Sequence, residues 1–215
     1  MSKPTETRIC LLRHGETDWN AEQRIQGSID IDLNAAGRRQ AELAARHLAG
    51  AAVAALYSSD LLRAWRTAEA IGRALGLSPR ALPRMRERDW GVLQGLTAEE
   101  AEQRHPHAFQ RMKARDPDYD FETGESKRAV SQRVAEALEG IAAAHAGETI
   151  IIVLHGGVLD VINRYVRGTP LDTRRDFDIP NAGLNWLVRD ASGWRIESWA
   201  ETRHLRALAL DELPA

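Results

Sequence analysis

The amino-acid sequence predicts an α/β fold, a three-layer α/β/α sandwich with a mostly parallel central sheet. Two observations lead to this prediction. Predicted strands alternate with predicted helices through most of the 215 residues, as they do in layered α/β proteins. Residues 9–12 and 150–154 form short, wholly apolar runs, which are typical of strands buried on both faces of a parallel sheet.

The strands are predicted from short apolar or alternating runs bounded by turn residues. They lie at residues 8–13, 54–57, 79–85 and 149–154, and a final hairpin is formed by residues 184–188 and 195–199. The helices are predicted from apolar residues at helical spacing, preceded by capping residues such as Asn34 and the cluster Ser58-Ser59-Asp60. They lie at residues 35–49, 126–145 and 158–166, and a further helix that follows the cluster Ser58-Ser59-Asp60 carries its buried stripe from Leu61 to Leu75.

Two polar stretches, residues 14–34 and 87–125, lack a strong periodic signal. We interpret the first as a long loop. We interpret the second as a small helical insert that covers the edge of the sheet where the carboxyl ends of the parallel strands lie. No internal repeat or low-complexity linker divides the chain. We therefore expect a single domain over residues 1–215, a length that allows one sizeable buried core.

Composition excludes several broad classes of protein. The 29 basic and 31 acidic residues give a net charge of -2, which argues against a nucleic-acid partner. Cys10 is the single cysteine, so no intramolecular disulfide can form. No apolar run reaches the length of a membrane span and residues 1–8 lack a signal-peptide core. We expect no membrane partner and a cytoplasmic location.

A histidine follows each of the two apolar strands. His14 comes directly after residues 8–13, and His155 directly after residues 149–154. Because ligands of open α/β sheets bind beyond the carboxyl ends of the strands, we expect both imidazoles on one functional edge. A neutral His14 can act as a base or nucleophile near pH 7. Arg13 offers a planar cation suited to phosphate or carboxylate.

Arg63 and Glu87 are expected at the same edge. Arg63 lies in the first turn of a predicted helix, whose N-terminus favours anions, and Glu87 follows a predicted strand. Each residue alone has an ordinary structural explanation. A lone histidine after a strand is more often a hydrogen-bonding group, and Glu87 lies in a charge run, residues 84–89, that is typical of a solvated surface. Their collection at strand ends predicts an anion-binding site.

The order of these motifs resembles the histidine phosphatase superfamily, which includes the phosphoglycerate mutases. An Arg-His-Gly triplet alone is a weak signal. Further matches occur in the family's order between residues 8 and 189. They are Leu12 to Thr17 with Trp19-Asn20, Asp32-Leu33-Asn34, Ser58 to Leu61 with Arg63-Ala64 and Thr67-Ala68, Glu87 with Gly91 and Leu93-Gln94-Gly95, Gly124-Glu125-Ser126 and His155-Gly156-Gly157.

The resemblance implies a role for each matching residue. His14 matches the nucleophile that takes the phosphoryl group, and Glu87 matches the proton donor to the leaving oxygen. Three residues match the family's phosphate pocket, namely Arg13, Arg63 and His155. The resemblance also places three further residues in the loop that lines the site, Asn20, Gln26 and Gly27. Phosphoryl transfer needs in-line positioning and positive charge around the equatorial oxygens, which two arginines and a histidine supply without a metal or cofactor.

The resemblance favours a phosphatase that hydrolyses a small phosphorylated metabolite. The loop at residues 24–27 lacks the aromatic residues of the mutases, and the stretch from Gly95 to Gly124 lacks their long basic insert. Residues 86–95, however, are similar to the mutase version, so a phosphoglycerate mutase is the alternative. A catalytically silent phosphate-binding module and a metal site at His14 and His155 are further alternatives, although neither histidine has the neighbours typical of a zinc site. The oligomeric state is open, with a homodimer as one alternative.

Overall fold

Six strands form one twisted sheet in the order β3-β2-β4-β1-β5-β6. The structure, a computed structural model, describes residues 6–206. Strands β1 to β4 pair in parallel, and β5 and β6 add an antiparallel edge next to β1. In chain order the strands are Thr7–Arg13, Ala55–Ser58, Arg80–Ala81, Thr149–Leu154, Leu184–Asp190 and Gly193–Glu201. The mostly parallel sheet and the final hairpin are thus confirmed.

Helices cover both faces of this sheet, which confirms the three-layer arrangement. The α-helices α1 to α7 span, in chain order, Asp18–Ala21, Ala35–Leu48, Leu62–Leu75, Ala98–Arg104, Pro106–Lys113, Lys127–Ala144 and Gly156–Arg167. Three short 3-10 helices lie at Pro83–Met85, Gly91–Leu93 and Arg203–Leu205. Asn34 caps α2 as predicted, because its side chain accepts the backbone N–H of Gly37 at 2.8 Å.

Alternate side chains of the central strands build two separate cores. Ile9 and Leu11 of β1 pack with α6 and α7 on one face, whereas Cys10 and Leu12 pack with α2 and α3 on the other. All residues from Ile150 to Leu154 are fully buried. Since burial of this apolar surface contributes about 25 cal/mol per Å², β1 and β4 form the most strongly held part of the sheet, and both end at the predicted site.

Two elements differ from the sequence prediction. Only Arg80–Ala81 pairs as a strand within residues 79–85, because Pro83 starts a 3-10 turn instead. The cluster Ser58-Ser59-Asp60 does not cap α3 in the expected way. The N-cap is Leu61, without a side-chain cap, and the first helical N–H, that of Leu62, is accepted by Asp30 at 2.6 Å. The cap therefore comes from a residue distant in sequence.

The insert between β3 and α6 has its own small apolar cluster. Helices α4 and α5 pack there with the 3-10 turn at Gly91–Leu93, and the buried members are Leu93, Ala101, Ala108, Phe109 and Phe121. Among residues 6–206, no helix combines the length and apolar character needed to span a membrane. The extent of the domain, residues 1–215, stays a prediction.

Gly37 allows α2 to approach the loop that follows His14. A Cβ atom at this position would lie 2.0 Å from the carbonyl oxygen of Glu16, and backbone cannot move away as a side-chain end could. We expect Gly37→Ala to lower the free energy of unfolding by about 1–3 kcal/mol through overpacking. Urea unfolding of the purified protein measures this change.

Gly140, in the middle of α6, provides the matched control. A Cβ atom there meets nothing within 4 Å, so Gly140→Ala should raise the free energy of unfolding by roughly 0.5–1 kcal/mol through helix propensity. Equal effects of the two substitutions would contradict the proposed close approach.

Candidate active site

The pairing of β1 with β4 brings the two predicted histidines together. The strands run in parallel with Arg13 opposite Leu154, so the next residues, His14 and His155, leave the sheet side by side. Their ring centroids lie 5.2 Å apart, and both side chains are buried. The backbone N–H of His14 donates to the carbonyl of Leu154 at 2.9 Å, which extends the pairing to His14 itself.

One ring nitrogen of His14 forms a hydrogen bond to the backbone, and the other has none within residues 6–206. Its Nδ1 lies 2.7 Å from the carbonyl oxygen of Gly15, and a carbonyl can only accept, so the ring proton is on Nδ1. Burial, followed by the charges of Arg63 and Arg13, holds the pKa of His14 well below its usual value of 6.5. The imidazole is therefore neutral at pH 7, with the lone pair of Nε2 available for attack.

Arg13 and Arg63 are both held through their terminal nitrogens. Arg13 Nη1 donates to the carbonyl of Ile179 at 2.6 Å. Arg63 donates from Nη2 to Gly27 and from Nη1 to Ile29, at 2.7 and 2.8 Å. These bonds fix the planes of the two guanidinium groups and leave the Nε–H of each without a partner in the described chain. Arg63, expected in the first turn of a helix, lies there and is fully buried.

His155 is oriented by Ser59, which follows β2. The two side chains meet at 2.8 Å between His155 Nε2 and Ser59 Oγ. Ser59 Oγ also accepts the N–H of Leu61, so its own proton is free to donate to Nε2. The remaining ring nitrogen, Nδ1, then carries the proton and is buried without a partner within residues 6–206. Burial, followed by the charge of Arg63, lowers the pKa of His155 well below 6.5.

Unpartnered buried groups thus surround the His14 imidazole. Within the described residues, Arg13 Nε, Arg63 Nε and His155 Nδ1 are buried without a hydrogen bond. Unpaired buried donors are costly and therefore rare in folded proteins. Three donors, two of them on permanent cations, suit a small anion such as a phosphoryl group.

Glu87 reaches the same site from the segment after β3. Its Oε2 accepts the N–H of Gly157 at 2.8 Å, and its Oε1 accepts the N–H of Arg88 at 2.8 Å. Gly157 is needed there, since a Cβ atom would lie 2.4 Å from Glu87 Oε1. The carboxyl therefore lies at the N-terminus of α7.

The three predicted loop residues have different positions. Gln26 is buried, and its Oε1 has no partner in the described part of the chain; its role in binding stays a prediction. Gly27 contributes a carbonyl to Arg63 and adopts a positive φ of 58°. Asn20 instead accepts bonds from Thr17 and from Asn181 Nδ2, so its amide oxygen supports the loop around His14.

One predicted part of the anion pocket is wrong. The N-terminus of α3 was expected to face the anion together with Arg63. The Asp30 carboxylate occupies that helix end through its bond to the N–H of Leu62. An acidic group at this position satisfies the helix terminus, and the anion site is therefore built from side chains around His14.

Sequence reasoning missed three residues that hold the site. Ser59 orients His155, and Thr67 accepts the N–H of Gly15 at 3.1 Å while donating to the carbonyl of Arg63 at 2.8 Å. Asn181 donates to the carbonyl of His14 at 3.1 Å. Ser59 and Thr67 lie in segments that match the family's motifs, but the resemblance gave neither a role. Asn181 carries no such signal, because its partner His14 is distant in sequence.

Within residues 6–206, no group of three or more His, Cys, Asp and Glu side chains is placed to hold a metal ion.

Comparison with known proteins identifies the family. The family model of the histidine phosphatase superfamily (branch 1) matches residues 9–202, so the chain belongs to this superfamily. The match covers both histidine-bearing strands, the insert and the final hairpin.

Individual relatives carry two kinds of name. The chain is 39% identical over 206 residues to the metal-independent phosphoserine phosphatase of Arabidopsis thaliana, covering 94% of this chain and 84% of that protein. It is 38% identical over 201 residues to phosphoglycerate mutase-like protein 4 of the same plant, covering 92% and 86%. The solved structure of Bacillus stearothermophilus YhfR matches with a TM-score of 0.87 and 32% identity, covering 93% of this chain and 99% of that one.

The buried neutral imidazole of His14 predicts a pH dependence of stability. Its lowered pKa in the folded protein means that below about pH 6.5 the unfolded chain binds a proton that the folded chain does not. The free energy of unfolding should therefore fall as the pH drops from about 6.5, by up to about 1.4 kcal/mol per pH unit for this residue.

Urea unfolding at pH 7 and pH 5.5 measures the effect in the wild type and in His14→Gln. We expect a smaller loss between these pH values in the variant, because glutamine does not titrate. An identical loss in both proteins would show that His14 is not held neutral in the folded state.

Proposed function

We propose that this protein is a metal-independent phosphatase that hydrolyses small phosphomonoesters through a phosphohistidine on His14. The observation that carries the proposal is the set of unpartnered donors, Arg13 Nε, Arg63 Nε and His155 Nδ1, around a neutral imidazole. A phosphoryl group bound there receives positive charge on its equatorial oxygens, which is the main requirement of phosphoryl transfer.

In the first step, Nε2 of His14 attacks phosphorus in line with the leaving oxygen. The N–P bond forms as the P–O bond to the alcohol breaks, and Glu87 gives its proton to the departing oxygen. The bond from Nδ1 to Gly15 holds the ring and stabilises the positive charge that develops on it. The step requires that Glu87 carries a proton when the substrate is bound.

In the second step, water attacks the phosphohistidine. The Glu87 carboxylate takes a proton from this water, the N–P bond breaks, and its electron pair returns to Nε2. Inorganic phosphate leaves, and both His14 and Glu87 regain their starting protonation states. The same carboxyl therefore acts first as an acid and then as a base.

Water access favours a phosphatase over a mutase. A cavity of about 430 Å³ adjoins Glu87, and its wall includes Arg111, Arg115 and Arg175, whose side chains are exposed. A mutase must exclude water from its phosphohistidine. The relative named as a metal-independent phosphoserine phosphatase supports the same choice, whereas the mutase-like relative keeps the mutase as the second candidate.

The expected partner is a small phosphorylated metabolite that enters through this cavity. A cytoplasmic location and the alternative of a homodimer remain predictions from the sequence.

The nucleophile is tested by hydrolysis of p-nitrophenyl phosphate. We expect the wild type to release p-nitrophenol equally with and without EDTA. His14→Ala should lower kcat/KM by at least about 10³-fold, because a covalent route loses its nucleophile. His47→Ala, which removes an exposed imidazole on α2, is the control and should retain wild-type activity.

Undiminished hydrolysis in His14→Ala would refute the assignment of the nucleophile, and loss of activity in EDTA would refute metal independence. A mutase would instead interconvert phosphoglycerates in the presence of 2,3-bisphosphoglycerate without net release of phosphate.

Glu87 is tested by varying the leaving group. Glu87→Gln should slow hydrolysis of alkyl phosphates by about 10²–10⁴-fold, because an alkoxide needs a proton to depart. The p-nitrophenolate ion leaves readily, so kcat for p-nitrophenyl phosphate should fall much less. Equal losses for the two kinds of substrate would argue against Glu87 as the acid.

A further inference from the structure

The cavity beside Glu87 is large compared with a small leaving group. Its volume of about 430 Å³ would hold roughly 14 water molecules at about 30 Å³ each. Serine and glycerate contain about seven non-hydrogen atoms, so on the same scale either would fill only about half of it. Seven basic and three acidic side chains line the cavity, and the excess of positive charge favours an anionic occupant.

Arg88 is the buried cation of this cavity. It is 6% exposed and lies over the rings of Trp90 and Phe121, at 4.5 and 4.7 Å from their centroids. Its Nε and Nη2 donate to backbone carbonyls of Glu125 and Tyr119. Its guanidinium forms no ion pair with a carboxylate in residues 6–206. Burial lowers the pKa of Arg88 to about 10, which still leaves it charged at pH 7.

The ring of Phe121 packs against Arg88, and the backbone of Phe121 is strained. Its φ of 62° lies in the left-handed region, which residues other than glycine rarely adopt. Such strain persists mainly where the surrounding structure uses it, as at ligand sites. The segment thus supports a buried guanidinium that interacts with the charges of Glu87 and Glu125 but forms no direct ion pair within the described residues.

The cavity wall also contains an unpartnered acceptor. Asp160, 8% exposed, shares its Oδ2 between Lys127 at 2.7 Å and Arg164 at 3.1 Å. Lys127 and Arg164 are further held by the carbonyls of Leu171 and Pro170. Asp160 Oδ1 is buried and has no hydrogen bond within the described chain. It can accept one from a ligand hydroxyl or amino group.

We propose that this cavity is a leaving-group subsite for a phosphomonoester whose alcohol is larger than a three-carbon acid. The alcohol carries an acidic group that binds Arg88 and a hydrogen-bond donor that binds Asp160 Oδ1, while Trp90 and Phe121 contact its carbon skeleton. The proposal rests on the phosphatase function proposed above and adds the class of substrate. The acidic group is a carboxylate or a second phosphate.

The wild-type enzyme tests this with matched pairs of substrates. We expect kcat/KM for 6-phosphogluconate to exceed that for glucose 6-phosphate by about tenfold or more, the usual effect of one charge-assisted hydrogen bond. A comparison of kcat/KM for fructose 1,6-bisphosphate and fructose 6-phosphate tests whether a second phosphate can replace the carboxylate. A preference in either pair supports the subsite and identifies its anion.

Equal kcat/KM values within both pairs would overturn the proposal. A higher kcat/KM for 3-phosphoglycerate than for 6-phosphogluconate would overturn its size requirement. Hydrolysis of p-nitrophenyl phosphate separates the two proposals. If the wild type does not hydrolyse it, the phosphatase function fails. If the wild type hydrolyses p-nitrophenyl phosphate but kcat/KM is equal within both substrate pairs, only the proposed subsite is contradicted.

Variants assign the preference to residues. Arg88→Gln should lower the ratio of acidic to neutral substrate about tenfold, and Arg88→Lys should retain part of it. Asp160→Asn should lower kcat/KM for 6-phosphogluconate relative to p-nitrophenyl phosphate, which offers no donor to Oδ1. Arg73→Gln, at an exposed arginine paired with Glu42, is the control. An unchanged ratio in folded Arg88→Gln would contradict the role of Arg88.

Discussion

The parallel pairing of β1 with β4 is the constraint on which the site depends. It places Arg13 opposite Leu154 and so brings His14 and His155 out of the sheet as neighbours. The strands are held in this register by buried side chains on both faces. A slip by one residue would turn every one of these side chains to the opposite core, and it would separate the two imidazoles. The packing that stabilises the fold is therefore the packing that assembles the site.

Burial of positive charge is the energetic problem that the surrounding loops solve. Arg63 is fully buried, and its terminal nitrogens are satisfied by the carbonyls of Gly27 and Ile29. Arg13 is held in the same way by Ile179. Because carbonyls accept hydrogen bonds without carrying a full charge, they fix the two guanidinium groups without forming ion pairs, and the carboxylates of Glu87 and Asp30 act on them only through space. Burial, followed by the charges of these arginines, keeps His14 neutral, and the same charges are available to an anion. The loop that carries Gln26 is consequently tied to the anion site through Arg63.

The sequence predicted the strand-end histidines because the rule involved is local and the apolar runs of β1 and β4 are unambiguous. It also predicted the hairpin and the Asn34 cap from nearby residues. It failed where the partner is distant. Asp30 caps α3 in place of Ser58-Ser59-Asp60, and the ring of Phe121 helps to bury Arg88 in what had the composition of a solvated charge run. The insert was weakly predicted because its short helices are stabilised by packing with one another.

The central claim is that His14 Nε2 is the nucleophile, since Nδ1 is fixed by the carbonyl of Gly15. The most direct measurement is to quench the enzyme during turnover of a ³²P-labelled phosphomonoester, digest it and identify the labelled atom. The account predicts a label on His14 Nε2 that survives alkali and is lost in acid. A label on Nδ1, an acid-stable label or a label on another residue would contradict it.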